Sequence, residues 1–584
     1  MAVEQLITQH IDTWTSALKT RSTAGRGSTG KIDLYGIKKL RELILELAVR
    51  GKLVPQDPND EPASELLKRI AAEKAELLKQ GKIKKQKLLL EISEEEKPFE
   101  LPEGWEWMRL GFITNYGECD KAEPTDANAD TWIVELEDIE KSTSKLLNRV
   151  KFSERPFKSS KNKFYKNDVL YGKLRPYLDK VLVADDSGVC TTEIIPIKGY
   201  GNILPDYIRL LLKSPRFIAY ANKSTHGMNL PRLGTDKAIH AVVELTSIAE
   251  QARIVNKVDE LMSLCDQLEQ QSLTSLEAHQ HLVGTLLATL TESQNAEELA
   301  ENWARISQHF DTLFTTEASI DALKQTILQL AVMGKLVPQD PNDEPASELL
   351  KRIEQEKAQL VKEGKIKKQK PLPPVSDEEK PFVLPKGWEW IRFGEILAAL
   401  KYGTSQKCDY LTNGYPVLRI PNVVGGEISL EDMKFGKLSE HEVKELSLEK
   451  DDLIFIRSNG SLSIVGQCTL LRRHLVNHAY AGYLIRARMY NNFVCAEYIS
   501  LMMKAIFIRD QIEKPIRTTT GVKNINSSEL SNLKLAFPPL STQKAIVEKI
   551  SVLLSFCESL KSLLQSAQQT QLHLADALTD AALN

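Results

Sequence analysis

An internal repeat constrains the fold of this chain more than any other feature of its sequence. Residues 51–70 and 334–353 carry the same 20 letters, GKLVPQDPNDEPASELLKRI, at an offset of 283 residues. A second pair is similar rather than identical: EQARIVNKVDELMSLCDQL (250–268) resembles TQKAIVEKISVLLSFCESL (542–560) at an offset of 292. Self-similarity at a fixed distance indicates repeated structural units. The chain is therefore expected to consist of two similar halves.

The repeats also cross the ends of the chain. ITQHIDT (7–13) matches ISQHFDT (306–312), and HLADAL (573–578) resembles HLVGTL (281–286). Brought together, the two termini would make a second copy of the central connector. We therefore predict a pseudo-two-fold molecule in which the order of the repeats is circular and both termini lie on the same side.

The second repeat has the pattern of a coiled-coil seam. Apolar side chains at 4-3-4-3 spacing are Ile254, Val258, Leu261, Cys265 and Leu268 in one copy, and Ile546, Ile550, Leu553, Cys557 and Leu560 in the other. Such spacing is typical of helices that pair along one apolar stripe. Because both copies present the same stripe, we expect the two helices to pair. The alternative is that each helix packs independently on its own domain.

The repeats divide the chain into five segments. They are an N-terminal helical repeat region with its linker (1–104), a variable block (105–246), a central helical repeat region with its linker (247–387), a second variable block (388–540) and a C-terminal helix (541–584). Both blocks are rich in β-branched and aromatic residues, with Gly and Pro breaks typical of short strands and turns. The fold class predicted is α+β, with two α/β domains joined by paired antiparallel coiled-coil helices in a circular pseudo-two-fold repeat.

Composition and missing motifs exclude several functions. Seven cysteines without a C-x-x-C pair argue against a disulfide framework or zinc finger and favour a reducing cytoplasm. No apolar run approaches the ~20 residues of a membrane span, so no membrane partner is expected. Every Gly-Lys dipeptide lacks the Ser or Thr that would follow it in an ATP-binding loop. The Pro-Pro pairs do not fit the signature of an amino-methyltransferase, and no metal-ligand cluster is evident.

Local charge points to nucleic acid although the net charge is −3. Residues 141–180 hold twelve basic and three acidic residues, and residues 453–528 hold ten basic and three acidic ones. Residues 111–140 are the reverse, with nine acidic residues and one basic. Local basic patches attract a phosphate backbone whatever the total charge. The commoner alternative is a solvated charged face, but each basic run lies in the block that differs between the halves.

The whole layout resembles the specificity subunit of Type I restriction–modification systems. The motifs that carry the resemblance are KNDVLYGKLRPYLDKV and KDDLIFIRSNGSLSIVG, with the closing segments THGMNLPRLGTDKAIHAVVEL (225–245) and TTTGVKNINSSELSNLKLAFPPLSTQKAIVEKI (518–550). The resemblance implies that 105–246 and 388–540 are target-recognition domains, each binding one half of a split double-stranded DNA sequence. It also implies that the helices between them fix the length of the gap.

The resemblance further implies partners and their cofactors. Two modification (M) subunits would dock on this chain and supply S-adenosylmethionine, and restriction (R) subunits would supply ATP- and Mg²⁺-dependent translocation and cleavage. The chain itself would be non-catalytic and would hold no cofactor. The rival interpretation is a coiled-coil scaffold that organises enzymes without binding DNA; a fused nuclease–methyltransferase is disfavoured by the missing cofactor loop.

Candidate DNA contacts lie in the strand–turn motif and the closing segment of each block. They are Lys173, Arg175, Tyr177, His226, Asn229 and Arg232 in the first block, and Arg457, Ser458, Asn459, Arg517, Thr518, Thr519, Lys523 and Asn524 in the second. Arg and Lys can donate to guanine O6 and N7, and Asn can pair bidentately with adenine. Each residue has an alternative role as a phosphate contact, an ion-pair partner or a turn former.

The exact repeat supplies candidate docking residues. Core packing alone would not keep surface residues identical between the copies, so either the duplication is recent or both copies bind the same partner. We favour a shared partner, because the neighbouring blocks have diverged. Two equal surfaces imply two copies of one partner. The residues expected to dock are Asp57, Asn59, Asp60 and Lys68 with their counterparts Asp340, Asn342, Asp343 and Lys351.

Overall fold

The structure, a computed structural model, divides into two compact units. It describes residues 3–21, 31–84, 89–227, 229–366, 370–411, 413–515, 517–519 and 522–583, with side chains at all of these except 3–4, 20–21, 31 and 517–519. Unit 1 takes in the described residues up to Lys19, then Asp33–Leu273 and the residues from Gln568 onward. Unit 2 takes in Thr274–Ala567 and the described residues of Thr20–Ile32. Each unit therefore contains one variable block and one copy of the exact repeat.

Unit 1 combines helices of different lengths with short strands. Its helices are α1 (Val3–Gln9), α2 (Ile11–Ser16), α3 (Tyr35–Val49), α4 (Ala63–Lys79), α5 (Leu110–Ile113), α6 (Pro205–Lys213), α7 (Pro215–Lys223), α8 (Thr235–Ile239) and the start of α9 (Ile248–Glu292). Following the short strands β1 (Lys19–Arg21) and β2 (Lys31–Asp33), its strands are β3 (Glu106–Arg109), β4 (Lys121–Ala122), β5 (Trp132–Val134), β6 (Val150–Lys151), β7 (Lys161–Phe164), β8 (Val169–Gly172), β9 (Val181–Val183), β10 (Gly188–Cys190), β11 (Ile194–Ile197), β12 (Thr225–His226), β13 (Arg232–Leu233) and β14 (Val242–Leu245).

The strands of unit 1 form small, mostly antiparallel sheets. A five-stranded sheet has the order β4-β7-β10-β5-β6, in which β10 and β5 are parallel, and a three-stranded sheet has the order β11-β8-β9. β14 pairs with β3, so the end of the variable block returns to its beginning. Trp132, Phe164, Leu170 and Ile194 lie in one buried cluster of this block. The cluster fixes β8 and β11, the strands that lead to the candidate site.

Unit 2 repeats this plan with different sheets. Its helices are α10 (Ala296–Gln308), α11 (Phe310–Leu313), α12 (Glu317–Val332), α13 (Ala346–Lys362), α14 (Ile420–Val423), α15 (Glu440–Glu445), α16 (Ala496–Met502), α17 (Ile506–Glu513), α18 (Ser527–Ser531) and the start of α19 (Leu540–Leu583). Its strands are β15 (Glu389–Arg392), β16 (Leu397–Tyr402), β17 (Cys408–Asp409), β18 (Tyr415–Leu418), β19 (Lys434–Gly436), β20 (Leu453–Ile456), β21 (Ser458–Asn459), β22 (Cys468–Leu470), β23 (Ala479–Tyr480), β24 (Leu484–Met489), β25 (Arg517–Thr519), β26 (Val522–Asn524) and β27 (Lys534–Phe537).

The sheets of unit 2 have the orders β16-β24-β20-β22, β17-β19-β18-β23 and β21-β26-β25. β27 pairs with β15 as β14 pairs with β3, so this block closes in the same way. β20 and β24 are antiparallel neighbours, as β8 and β11 are. The variable blocks of the two units therefore share a common frame around these strand pairs.

The exact repeat folds identically in both units. α4 and α13 each follow a proline, bury an Ala, a Leu and an Ile on one face, and are followed by a glycine at positive φ, Gly81 or Gly364. Proline favours the start of a helix, and glycine adopts the left-handed conformation that ends one. Trp105 and Trp388, nearly buried after each linker, donate their indole N–H to Gln56 (3.3 Å) and Gln339 (2.7 Å). The repeat thus anchors the start of each variable block.

The long helices confirm the predicted antiparallel arrangement. Unit 1 holds the start of α9 and the end of α19, and unit 2 holds the reverse. The seam of α19 packs into the core of unit 2 with α12, and Lys324 of α12 is 2.7 Å from Glu558. The buried seam of α9 lies beside α3, whose Arg41 is 2.6 Å from Asp266. Each seam is thus buried within its own unit, beside α3 or α12.

In the described part of the chain, no helix is both long and apolar enough to cross a bilayer.

Candidate nucleic-acid interface

In unit 1, the candidate site begins at the turn after β8. Arg175 and Asp179 bracket the short 3-10 helix Pro176–Leu178 in left-handed conformations, with φ of 52° and 50°. This conformation is unfavourable for residues other than glycine, so other contacts must hold it. Asp179 supplies one, because its Oδ2 lies 2.6 Å from Nζ of Lys213 on α6. Burial raises the pKa of Asp179 to about 6, and the charge of Lys213 opposes that rise.

A hairpin closes over this turn and brings the first set of candidate residues together. β12 and β13 pair His226 with Arg232, the backbone N–H of Arg175 donates to Pro231 O (2.7 Å), and that of Leu233 donates to Lys173 O (3.0 Å). Tyr177, His226 and Asn229 are exposed, and Tyr177 retains 52 % of its accessible surface. Residues some 50 positions apart in sequence thus form one surface.

Unit 2 assembles the second set in the same way. β21 pairs with β26, which places Ser458 opposite Asn524 and Asn459 opposite Lys523. The backbone N–H of Ile525 donates to Arg457 O (2.9 Å), as Leu233 does to Lys173. β25, with Arg517, Thr518 and Thr519, pairs with the other edge of β26. The side chains of Arg517, Thr518 and Thr519 lie outside the described residues, so only their backbone position is known.

The side chains of this second site differ in accessibility. The guanidinium of Arg457 lies over the ring of Tyr402 at 4.8 Å, a cation–π geometry that fixes its direction. Asn459 accepts a hydrogen bond from the backbone N–H of Ser461 (2.8 Å), which shapes the turn after β21. Ser458 is only 9 % exposed. It therefore supports the sheet and offers little surface for a contact with DNA.

Part of the basic charge of the first block is neutralised within the block itself. The acidic and basic runs of the first block pair with each other: Arg155 with Asp138 (2.6 Å), Lys161 with Glu135 (2.8 Å), Lys151 with Asp130 (2.8 Å) and Lys163 with Asp126 (3.5 Å). Counting basic residues along the chain therefore overstated the charge available to a phosphate. Lys173 and Arg175, by contrast, are in no ion pair with any residue that the structure describes. The turn therefore keeps two positive charges that no described carboxylate neutralises.

Sequence reasoning missed one position in each site. The backbone N–H of Lys173 donates to Glu193 O (3.0 Å), and that of Arg457 donates to Tyr483 O (2.8 Å). Glu193 and Tyr483 are therefore structural equivalents at the start of β11 and β24. No motif marks them, and they share no chemistry. Only the pairing of β11 with β8 and of β24 with β20 reveals the correspondence.

The candidate docking residues fall into two groups. Asp57 and Asp340 accept hydrogen bonds from the backbone N–H of Asn59 and Asn342 (2.9 Å each), so they shape identical exposed turns. Lys68 and Lys351 project from the exposed faces of α4 and α13. Asp60 differs, because it is partly buried and lies 2.6 Å from Arg253. Its counterpart Asp343 accepts a hydrogen bond from Thr542 (2.9 Å).

Comparisons with known proteins define the class. Residues 385–569 match the family model described as "Type I restriction modification DNA specificity domain". The fold is similar to that of a chain from a solved structure titled as the complex assembly and conformational transition of the type I R-M system. The TM-score is 0.52 at 17 % identity, covering 83 % of this chain and 99 % of that one. The second half of the chain therefore matches a DNA specificity domain, and the chain as a whole shares its fold with a component of a type I system.

The curated relatives give the family. This chain is 52 % identical over 599 residues to the Type I restriction enzyme EcoEI specificity subunit of Escherichia coli, and 51 % identical over 611 residues to the EcoAI specificity subunit of the same species. Both alignments cover 100 % of both chains. The chain therefore belongs to the family of Type I restriction enzyme specificity subunits, the non-catalytic subunits that recognise DNA in restriction–modification complexes.

Proposed function

We propose that this chain binds a split double-stranded DNA target, with one half-site contacted by each unit. The carrying observation is that the two candidate sites share their backbone hydrogen bonds but present different side chains. A common frame with different side chains suits the recognition of two different sequences. The contact surface comprises Lys173, Arg175, Tyr177, His226, Asn229 and Arg232 in unit 1, and Arg457, Asn459, Arg517, Thr518, Thr519, Lys523 and Asn524 in unit 2.

We also propose that two M subunits dock on the matching turns and helices of the exact repeat. Asn59, Lys68, Asn342 and Lys351 are exposed in both copies, which supports an external partner. Asp57 and Asp340 hold the turns in shape. Asp60 and Asp343 make contacts within the chain, and these contacts suffice to explain why both copies keep an aspartate there. R subunits would join through the M subunits, and the cytoplasm would be the setting, in keeping with seven free cysteines. S-adenosylmethionine, ATP and Mg²⁺ would belong to these partners.

Exchanging the first variable block tests the assignment of half-sites. Residues 105–246 are replaced by the corresponding block of a relative, and methylated adenines are mapped genome-wide in cells that also carry the M subunit. One half of the methylated sequence should change while the other half stays the same, because no candidate residue of the second site lies within the exchanged block. A change in both halves, or in neither, would contradict the proposal.

The rival function is a scaffold that does not bind DNA. The salt dependence of DNA binding distinguishes it from the proposed function. Binding through several phosphates weakens steeply as salt rises, and specific binding remains tighter to the target than to other DNA. A complex of this chain with M that shows no preference for its methylated sequence at any salt concentration would favour the scaffold.

A further inference from the structure

Three positions correspond one to one between the two candidate sites. The backbone hydrogen bonds that join β8 to β11 and to the hairpin align Lys173 with Arg457, Glu193 with Tyr483, and Arg232 with Asn524. The side chains differ at all three positions. A frame conserved in its backbone and variable in its side chains is expected where a fold is used to bind two sequences.

In unit 1, two of these side chains are locked to each other. Nε of Arg232 donates to both carboxylate oxygens of Glu193, at 3.1 Å to Oε1 and 3.0 Å to Oε2. The ion pair is partly exposed, with 35 % of the Arg232 side chain and 25 % of the Glu193 side chain accessible. The hydrogen bond that Arg232 donates to Glu193 raises the pKa of Arg232, so its guanidinium keeps its charge.

The ion pair with Glu193 engages Nε of Arg232. It leaves the outer edge of the guanidinium, formed by Nη1 and Nη2, available to another acceptor. Nη1 makes one long hydrogen bond to Leu230 O (3.3 Å), and Nη2 makes none with any described residue. Two neighbouring N–H donors of this kind can donate a bidentate pair of hydrogen bonds to O6 and N7 of guanine. An arginine held beforehand also loses less conformational freedom on binding, since its planar fork is already oriented.

Building on the proposed DNA contacts, we propose that Glu193 is a positioning residue that holds Arg232 against a guanine in the half-site bound by unit 1. Unit 2 cannot make this arrangement, because Tyr483 replaces the carboxylate and Asn524 replaces the arginine. The Tyr483 side chain retains 65 % of its accessible surface. The requirement for this guanine therefore belongs to one half-site only.

The test measures base preference rather than overall activity. The full chain is purified with its M subunits, and methylation rates are measured on oligonucleotides that carry each base in turn at every position of both half-sites. The variants are Glu193→Gln, Arg232→Lys and the double variant. A matched control is Glu497→Gln, which removes a carboxylate on α16 of unit 2 that lies 3.1 Å from the guanidinium of Arg472.

We expect Glu193→Gln to lower the preference for guanine at one position of one half-site by about tenfold, the lower part of the range for one bidentate arginine–guanine contact. Arg232→Lys should relax the same position, and the double variant should relax it no further than Arg232→Lys alone, because Glu193 acts through Arg232. Glu497→Gln should change no preference in that half-site.

Three outcomes would overturn the inference. The first is a uniform loss of methylation with unchanged base preferences, which would indicate a structural role for Glu193. The second is full additivity of the two substitutions. The third is a wild-type half-site for unit 1 that contains no guanine. Failure of the proposed function is a separate result, since it would appear as a wild-type complex without a two-part target.

Discussion

At the scale of single residues, Glu244 is the buried titratable side chain with the clearest consequence for stability. Its side chain is 1 % exposed on β14, and Nη2 of Arg216 lies 2.6 Å from its Oε1. Burial raises the pKa of Glu244 to about 7, although Arg216 opposes the rise. In the folded chain this carboxyl therefore holds a proton that the unfolded chain releases at lower pH. The stability that it contributes is present in acid and is lost as the pH rises toward 7.

Replacing Glu244 with Gln should remove this pH dependence. A shift of about 2.5 pKa units corresponds to roughly 3 kcal/mol. We expect the free energy of unfolding of Glu244→Gln, relative to the wild type, to rise by about 2–3 kcal/mol between pH 5 and pH 8. Urea denaturation at both pH values measures it, with the exposed Glu548→Gln as control. Equal differences at both pH values would show that Glu244 does not titrate in this range.

Residue patterns predicted the supports of the candidate site better than its full set of contacts. The LP-x-GWEW segments at 101–107 and 384–390 can be recognised by repetition alone, and their first tryptophans, Trp105 and Trp388, are buried. The sequence of the first block departs from the PPL-x-x-Q run of the second, yet Gln251 and Gln543 are both fully buried and make matching backbone hydrogen bonds. Glu193 and Tyr483 could not be predicted, because strand pairing sets their position and no local pattern encodes it.

At the scale of elements, substitutions at neighbouring positions of α19 can test which face of this helix is buried. Ile550 is fully buried in the core of unit 2, whereas Val552, two positions along, retains 67 % of its accessible surface. Truncation of a buried Ile leaves a cavity and costs about 2–5 kcal/mol. We expect Ile550→Ala to lower the thermal stability of the chain by several degrees, and Val552→Ala to leave it nearly unchanged. Calorimetry checks both, and equal effects would contradict the orientation of α19.

The seams show what periodicity can and cannot determine. The 4-3-4-3 spacing correctly predicted helices and the face that each buries, because the spacing depends only on the geometry of a helix. It did not determine the partner, since any apolar surface of suitable width can bury such a stripe. α3 and α12 carry apolar faces of their own and lie beside the seams. Ion pairs such as Lys324 with Glu558 add a charge pattern that a search for apolar periodicity ignores.

At the scale of the whole molecule, two copies of one surface predict the stoichiometry of the complex. Lys68 and Lys351 occupy equivalent positions on α4 and α13, with 73 % and 64 % of their side chains exposed. We expect native mass spectrometry of the co-expressed complex to show two M subunits per chain. Lys68→Glu or Lys351→Glu alone should leave one M subunit bound, and the double variant should leave none.

Lys549→Glu, on the exposed side of α19, is the control and should keep two M subunits. A wild-type complex that saturates at one M subunit would contradict the equal-surface argument. A double variant that still binds two M subunits would show that the docking surface lies elsewhere.

The separation between the residues that support each site and those that vary between the sites has an evolutionary consequence. Gln251, Gln543 and the tryptophans that follow the linkers hold each domain on its helices, whereas positions such as 193 and 483 lie at strand ends and on hairpins. Substitutions at these outer positions can accumulate without the loss of a buried hydrogen bond, so drift there is nearly neutral for folding. A lineage can therefore acquire a new target by changing one site while inheriting the other intact, and natural selection acts on each half of the specificity separately.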